Sequence, residues 1–431
     1  MSPITTDWRV RVRMYCQGLG DCFLLTFREK GAVLGHALID SGVLNPDFSR
    51  LRQAVEDIAR ETGGKIDLLV VTHEHWDHVS GFSQARDLFD KLEISDVWMA
   101  WTEDPGDQEA AALHRRYDKL KSALDLVVST PGHPYAEQMQ ALLGFAGWDT
   151  ARFAFSNSTR DAMDYVLSRM RNSEKKGKFC QPGQSLVPFG PAFEFHVLGP
   201  PHGKLLKKKD PIEGSSETYE FALASASLGD LRQSTTLDYP FEAIYKLSPT
   251  NIPSSLSNLQ SILNLYEAPA DSWRRIDGDW LNGSAELALQ MDSYTNNTSL
   301  ALAIELGGRD VLLFPGDAQV GNWQSWHEVS WENTRVRTNS LLERVVLYKA
   351  GHHASHNGTL REGGLELMSK LQRVLIPTDE AFASTRNPKG SWQMPAKALY
   401  SALDEKSNHH VQRSDEAKPP LTSVLYFDTF V

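Results

Sequence analysis

The sequence predicts an α/β protein, and the order of elements in its first 80 residues carries that prediction. Apolar residues alternate with basic ones in residues 8–15, as in a half-buried strand, and a glycine turn separates them from the apolar run 22–27. Residues 48–61 have helical spacing and end at two glycines, and the continuous apolar run 66–71 is typical of a strand buried on both faces. Strand, helix and strand in this order favour an α/β architecture.

The rest of the chain alternates predicted strands with two long polar stretches. Residues 102–178 are charged, with amphipathic helical spacing at 109–126 and 161–171, and residues 205–292 have the composition of an insertion. Further strands are predicted at 37–40, 193–198, 299–306, 310–314, 344–348 and 423–427, with a hairpin at 307–309 and a solvated loop at 408–420. We therefore predict a first part of the core at 1–204, which includes a helical excursion at 102–178, an insertion flanking the active site at 205–292, and a second part of the core at 293–431.

Composition and charge exclude several classes of protein. The chain has 431 residues and a formal net charge of -11, which disfavours a protein that coats DNA through global positive charge. No apolar run approaches the roughly 18 residues of a membrane span, and the first residues lack the basic-then-apolar order of a signal peptide. Cys16, Cys22 and Cys180 form no CxxC pair, which favours free thiols in a reducing compartment. We expect a cytoplasmic protein that does not interact with membranes.

The strongest chemical signal is the segment THEHWDH, residues 72–78, directly after a buried strand. His73 and His75 are separated by one residue and can converge on one cation. Asp77 and His78 are spaced to serve a second cation close by. Imidazole and carboxylate are the ligands expected for Zn(II), Mn(II) or Fe(II). The segment is not a zincin motif, because HExxH beginning at His73 would need histidine where Asp77 stands.

Two later strand ends carry residues of the same chemistry. Asp317 follows the apolar strand 310–314 through a glycine turn and can bridge two metals with one carboxylate. His352 and His353 follow another strand end, and His356 lies just beyond, where it can contact substrate or donate a proton. Either motif alone is ambiguous, because glycine and aspartate are common at turns. Three strand-end clusters of the same ligand types indicate one metal site.

Together these motifs resemble the metallo-β-lactamase superfamily. Its pattern is HxHxDH after a buried strand, an upstream strand ending in Asp40-Ser41-Gly42, a later strand-Gly-Asp and a final strand-end histidine. A closer resemblance, to the hydrolase domain of the DNA-internalisation competence protein ComEC, rests on the segments GLGDCFLL, NTSL, FPGD and GHHAS. The resemblance covers residues 8–100, 180–203 and 293–380 and implies a four-layer αββα sandwich, interrupted by the helical excursion and the central insertion. The chain has no membrane channel, so transport is not implied.

The resemblance also implies a role for each motif residue. His73 and His75 would bind a first metal, Asp77 and His78 a second, Asp317 would bridge them, and His352, or else His353, would complete the second shell. Asp40 would orient ligands rather than bind metal. The third ligand of the first metal is open: His202 follows a strand in the expected place, and His133 lies in a Pro-Gly-His turn. The implied cofactors are two divalent metal ions, Zn or Mn.

The implied chemistry is hydrolysis by a hydroxide that two cations activate. Asp77 and Asp317 would help to hold the hydroxide, and Lys349 would stabilise charge on the transferring group. A phosphate backbone would be attracted by lysines flanking the site, namely Lys207, Lys208 and Lys209 beside Lys204, and Lys175, Lys176 and Lys178. We therefore predict a phosphodiesterase or nuclease that acts on nucleic acid or a nucleotide.

Three other functions stay open at this point. One is a hydrolase of an ester, lactone or amide on the same fold. Another is an iron-dependent oxidoreductase, which the histidine at His75 disfavours because diiron members of the superfamily typically carry glutamate there. The last is a metal-poor binding or regulatory module, against which the intact ligand pattern argues. A partner protein or a homo-oligomer is also left open.

Overall fold

Two mixed β-sheets of seven strands each stack face to face, and helices cover their outer faces. The computed structural model describes residues 9–115, 159–207, 295–386, 394–416 and 424–431. By its contacts the chain divides into a unit of Met1–Phe221 with Ala288–Val431 and a second unit of Ala222–Leu287, which lies wholly outside the described residues. The predicted α/β sandwich is confirmed.

The first sheet has the strand order β16-β1-β2-β3-β5-β7-β8. Its strands are β1 (Val10–Tyr15), β2 (Cys22–Glu29), β3 (Ala32–Ser41), β5 (Leu68–Val71), β7 (Val97–Ala100), β8 (Lys178–Cys180) and β16 (Tyr426–Phe430). The pairs from β16 to β3 are antiparallel, and those from β3 to β8 are parallel. The short strands β4 (Lys65–Ile66) and β6 (Glu93–Ile94) form a separate parallel pair.

The second sheet has the strand order β15-β14-β13-β12-β11-β10-β9. Its strands are β9 (Ser185–Leu186), β10 (Phe193–Gly199), β11 (Ala301–Leu306), β12 (Asp310–Phe314), β13 (Val345–Lys349), β14 (Arg373–Ile376) and β15 (Val411–Arg413). The predicted hairpin joins β11 to the antiparallel β12, and the pairs from β12 to β15 are parallel.

The core between the sheets follows from the alternation of side chains along each strand. Val12 and Met14 on β1 and Phe193 and Phe195 on β10 point inward and are fully buried. The ring of Phe27 lies edge-on to that of Phe193, with centroids 5.2 Å apart, so aromatic packing joins the two sheets.

The outer layers are helical. The first sheet is covered by α1 (Ser49–Glu61), α2 (Trp76–Gln84), α3 (Arg86–Phe89) and α4 (Thr159–Asn172). The second sheet is covered by α5 (Val320–Ser325), α6 (Thr338–Glu343) and α8 (Lys397–Lys406), and α7 (Glu380–Arg386) follows β14. Since α4 packs against the first sheet, this end of the predicted excursion 102–178 belongs to an outer layer.

The sequence prediction is wrong for part of the polar stretch 408–420. Residues Val411–Arg413 form β15, which pairs with β14 at the edge of the second sheet. An edge strand is half exposed and therefore tolerates polar side chains, and Arg413 is fixed there by ion pairs with Asp415 and Glu380. Residues 417–420 of the stretch lie outside the described residues.

The predicted insertion stays a prediction. Residues 208–294 lie outside the described part of the chain, as do Lys208, Lys209 and the aromatic residues of that segment. His133 also lies outside it. Within the ranges that the structure describes, no helix combines the length and apolar character needed to cross a bilayer.

Candidate metal centre

The site lies where parallel strands of both sheets end. In the first sheet β3 ends just after Asp40, and β5 leads directly into residues 72–78. In the second sheet β12 leads to Asp317, and β13 leads to the loop 351–356. Because the carboxyl ends of neighbouring parallel strands meet at one sheet edge, residues far apart in the sequence come together here.

Two glycines allow the loops at this edge to approach closely. A Cβ on Gly20, which has φ +150, would lie 2.5 Å from the carbonyl oxygen of Asp77. A Cβ on Gly42 would overlap the backbone of the same residue. The amide of Asp21 donates to the Asp77 carbonyl at 2.9 Å, and the Asp21 carbonyl accepts from Gly42 at 2.9 Å. This packing holds Asp21 against the histidine motif.

Asp40 and Thr72 orient two of the histidines. The Asp40 carboxylate accepts hydrogen bonds from the Thr72 amide (2.8 Å), the Thr72 hydroxyl (2.7 Å) and Nδ1 of His78 (2.8 Å). Since the Thr72 hydroxyl gives its proton to Asp40, it accepts from Nδ1 of His73 at 3.0 Å. With Nδ1 used as a donor, each imidazole keeps a basic Nε2, the form that binds a cation.

His73 and His75 converge as their spacing predicts. Nε2 of His73 lies 3.1 Å from Nδ1 of His75, and both side chains are buried. Burial lowers the pKa of both imidazoles, and the neighbouring His78 lowers both pKa values further. Both rings are therefore neutral near pH 7, as a cation ligand must be.

His353 rather than His352 points its ring into the site. Nδ1 of His353 donates to the carbonyl of Pro377 at 2.7 Å, and its Nε2 lies 2.7 Å from Oδ2 of Asp77. Nε2 is also 3.6 Å from Oδ2 of Asp317. The ring is oriented in the same way as that of His78, with Nδ1 held by a protein oxygen and Nε2 facing carboxylates.

His352 contributes mainly its backbone. Its amide donates to Oδ1 of Asp317 at 3.0 Å, whereas its half-buried ring lies 3.4 Å from side-chain atoms of Gln319 and Asn357. His352, His353 and Ala354 have φ of 48°, 51° and 60°, an unusual left-handed run for residues other than glycine. This turn sends two adjacent imidazoles in different directions, so spacing alone does not distinguish them.

Four buried side chains meet at the centre of the site. One ligand atom from each of Asp21, His78, Asp317 and His353 lies within 4.8 Å of the others. Nε2 of His78 is 3.2 Å from Oδ2 of Asp317, yet this nitrogen and Oδ1 of Asp21 are buried without a hydrogen-bond partner. Buried polar atoms are rarely left unsatisfied. Two unpartnered polar atoms within a cluster of four ligand side chains fit a cation site.

Lys349 lies beside this cluster and is fully engaged by protein atoms. Its ammonium lies 2.6 Å from Oδ2 of Asp21, 3.1 Å from Oδ1 of Asp317 and 3.0 Å from the carbonyl of Gly316. An ammonium has three N–H donors, and three acceptors surround this one. Lys349 is also only 1% exposed. The expected role of Lys349 in binding substrate therefore does not fit its contacts.

The carboxylates raise the pKa values of His78 and His353, whereas the pKa of His73 is lowered. Burial disfavours the charged form of His78, but Asp317 and Asp21 outweigh it and raise its pKa well above the ordinary value. His353 behaves similarly, with Asp317 and Asp77 raising its pKa against burial. Without a cation, protons on these two rings offset the negative charge of the site.

His202 is not among the residues that the structure brings to the cluster. Its Nδ1 lies 2.9 Å from Glu109 and its Nε2 lies 2.9 Å from Gln181, so both ring nitrogens are already paired. The ring also stacks on Trp101 with centroids 3.9 Å apart, and 45% of the side chain is exposed. The structure places this histidine on the surface, contrary to its expected role as third ligand.

The expected lysines divide into two groups. Lys175 and Lys178 are both exposed. The backbone amide of Lys175 donates to the carbonyl of Ser95, just before β7, and Lys178 is the first residue of β8. They lie where the parallel strands start, at the sheet edge opposite the site. Lys204 is exposed on the loop that follows β10, at the site's edge, and Lys207 ends the turn Leu205–Lys207 there. His356 is half-buried on the loop that carries His353.

A buried glutamate near the histidine motif has no signature in the sequence. Glu103 follows β7, and its side chain is 8% exposed. Burial, together with the charge of Glu74 within the motif, raises the pKa of Glu103 to about 7. Its sequence context, a short turn after an unpredicted strand, gives no signal of this.

Replacing Glu103 with glutamine should stabilise the protein at alkaline pH. Between its ordinary pKa and the raised value the folded state binds more protons than the unfolded state, so the free energy of unfolding falls as pH rises through that interval. We expect Glu103→Gln to exceed the wild type by about 1–3 kcal/mol at pH 8 and to match it at pH 5, in urea unfolding. The exposed Glu93→Gln is the control. A Glu103 variant that is less stable at pH 8 would contradict this assignment.

A second group of metal-type residues lies on the second sheet. Glu194, His196 and Glu305 place ligand atoms within 4.8 Å of one another. Both ring nitrogens of His196 are hydrogen-bonded, to Ser185 at 2.8 Å and to Glu305 at 2.9 Å. Arg344 also pairs with Glu305 at 2.8 Å, so these groups satisfy one another.

Comparison with protein families agrees with this geometry. The model of the metallo-beta-lactamase superfamily matches residues 17–133, an interval that includes Asp21, Asp40 and the histidine motif. The match is to the superfamily and does not single out a ComEC-type branch. Curated proteins include none that matches the chain. Residues 17–133 thus match the metallo-beta-lactamase superfamily, within an α/β sandwich whose His and Asp cluster could hold metal.

Proposed function

We propose that the protein is a metal-dependent phosphodiesterase or nuclease that acts on nucleic acid or a nucleotide. The observation that carries the proposal is the buried convergence of Asp21, His78, Asp317 and His353, in which Nε2 of His78 and Oδ1 of Asp21 have no hydrogen-bond partner. The match of residues 17–133 to the superfamily supports the broader part of the proposal, a metal-dependent hydrolase. The phosphodiester substrate is the finer part.

The donor set fits divalent cations. His73, His75, Asp77, His78, Asp317 and His353 would hold them, by neutral imidazole and carboxylate groups that suit Zn(II) or Mn(II). When bound, such cations polarise a phosphoryl or carbonyl oxygen and lower the pKa of water. We expect two cations, one held at His73 and His75 and one at His78 and Asp317.

The protein's own groups supply orientation and proton transfer. Asp77 is the most exposed of the central carboxylates, with 13% of its side chain accessible against 1% for Asp317 and 2% for Asp21. It is therefore the carboxylate placed to accept a hydrogen bond from the attacking water. We assign to His356, which is half-buried on the loop that carries His353, the donation of a proton to the leaving oxygen.

The oxygen ligands of the site and a lysine at its edge favour a phosphodiester over a carboxylic ester. Asp21, Asp40, Asp77 and Asp317 make the site rich in carboxylates, and oxygen ligands suit the cations that serve phosphoryl transfer. The exposed Lys204 at the same edge supplies positive charge that a phosphate backbone can reach. The resemblance of the glycine and histidine segments to a DNA-processing hydrolase points the same way.

The test is hydrolysis of a panel of substrates by purified protein with Mn(II) or Zn(II). We expect turnover of single-stranded DNA, RNA or bis(p-nitrophenyl) phosphate, lost with EDTA and restored by the metal. The matched negative is the double variant His75→Ala with Asp77→Ala. Turnover of a lactone, ester or β-lactam but of no phosphodiester would overturn the proposal in favour of an ester or amide hydrolase. Unchanged biological activity of the double variant would favour a binding module.

A further inference from the structure

Asp21 and Lys349 form a buried ion pair that the expected ligand pattern does not contain. Both residues are almost completely inaccessible, at 2% and 1% exposure. Oδ2 of Asp21 lies 2.6 Å from the ammonium, while Oδ1 of the same carboxylate is buried without a hydrogen-bond partner. An ion pair formed only for stability would use both oxygens, because an unsatisfied buried oxygen is costly.

The two carboxylate oxygens of Asp317 also have different surroundings. Oδ1 accepts from the ammonium of Lys349 at 3.1 Å and from the His352 amide at 3.0 Å. Oδ2 instead faces Nε2 of His78 at 3.2 Å and Nε2 of His353 at 3.6 Å. One ammonium thus holds one oxygen from each carboxylate. Oδ2 of Asp317 faces the imidazoles, and Oδ1 of Asp21, which lies 3.9 Å from the His353 ring, has no hydrogen-bond partner.

Lys349 has no donor left for any other task. Its third acceptor is the carbonyl of Gly316, at 3.0 Å, so all three N–H groups are directed at protein oxygens. The ammonium is therefore fixed between two carboxylates.

We propose that Asp21 is an additional cation ligand, which binds through Oδ1 alone, and that Lys349 is the positioning residue that makes Asp21 and Asp317 offer one oxygen each. The proposal rests on the metal centre of the proposed function, but not on its substrate. The backbone supports it, because the Asp21 amide and carbonyl are bound to Asp77 and Gly42, which fixes the carboxylate relative to the histidine motif. A ligand residue whose orientation is already fixed by hydrogen bonds loses less conformational entropy when it binds a metal.

The test measures cation binding rather than turnover. Asp21→Asn keeps the shape of the side chain and can still accept from Lys349, but it removes the anionic oxygen. We expect it to weaken binding of Mn(II) about 10- to 100-fold in competition with a chelator, and to change the visible spectrum of the Co(II)-loaded protein. Asp96→Asn is the matched control. Asp96 is a buried, hydrogen-bonded carboxylate that precedes β7, at the sheet edge opposite the site.

The visible spectrum of bound Co(II), which depends on the ligand atoms around the ion, tests the role of Lys349. Lys349→Met removes the ammonium from Oδ2 of Asp21 and from Oδ1 of Asp317, so we expect the Co(II) spectrum to change relative to the wild type. If that variant does not fold, Asp21→Asn still decides the assignment of Asp21. Wild-type affinity and spectrum in Asp21→Asn would overturn that assignment, and an unchanged spectrum in folded Lys349→Met would overturn the positioning role. Loss of binding in Asp21→Asn together with no phosphodiester turnover by the wild type would overturn the proposed function and leave this inference standing.

Discussion

Asp317→Asn is expected to lower metal-dependent hydrolysis by at least about 10³-fold, which corresponds to about 4 kcal/mol of transition-state stabilisation. Oδ1 of Asp317 accepts from two donors, Lys349 and the His352 amide, and Oδ2 faces the imidazoles of His78 and His353. An asparagine must satisfy the two donors with its oxygen. Its NH2 group then points into the cluster, where a cation needs an acceptor.

The measurement is kcat/KM on the phosphodiester that the wild type hydrolyses best, together with cation content by elemental analysis. Asp310→Asn is the matched control, because Asp310 lies at the opposite end of the same strand, β12. We expect the control to retain wild-type activity and metal. An Asp317 variant with less than a tenfold loss and full metal content would contradict the place of Asp317 at the centre of the site.

Cation binding is expected to stabilise the protein strongly, and more so at pH 8 than at pH 6. The raised pKa values of His78 and His353 mean that the metal-free protein gains stability from these imidazolium groups below their ordinary pKa and loses it as pH rises through the raised values. A cation needs these rings deprotonated, so its affinity rises over the same interval. His73 and His75, whose pKa values are lowered, are already neutral there.

Thermal unfolding with and without Mn(II) or Zn(II) checks this prediction. At free cation near 1,000 times Kd the stabilisation is about 4 kcal/mol, which should raise the melting temperature by several degrees. Asp317→Asn should show little of this increase at either pH. A shift that is larger at pH 6 than at pH 8 would contradict the protonation states assigned to His78 and His353.

Much of the sandwich could be predicted because its strands bury one or both faces. The runs 22–27, 66–71 and 310–314 correspond to β2, to β4 with β5, and to β12, since apolar periodicity reflects the core directly. The edge strand β15 could not be found this way, because a half-exposed strand needs no apolar pattern. The helices α5 and α6 have six residues each, too few for a readable period.

The site was predictable in its ligand types but not in its finer contacts. Strand-end position brought His73, His75, His78 and Asp317 together as expected. The choice between His352 and His353 depends on three left-handed residues in succession, which no sequence pattern requires of histidine or alanine. His202 has the right position along the chain, but Glu109 and Gln181, distant in sequence, engage its ring.

Asp21 and Lys349 show the same limit. Asp21 lies in a glycine-rich turn, and the sequence of that turn resembles a known family without indicating a role for the carboxylate. Lys349 has the charge expected of a substrate-binding residue. Only its burial and its three protein acceptors indicate that it acts on the ligands instead.

The most direct test of the metal centre is anomalous X-ray scattering from crystals of the protein loaded with Mn(II) or Zn(II). We predict a peak within bonding distance, about 2.0–2.3 Å, of ligand atoms from His78, Asp317 and His353. A second peak is predicted at His73 and His75. Absence of any peak there, with the cation found instead at Glu194, His196 and Glu305, would contradict this prediction.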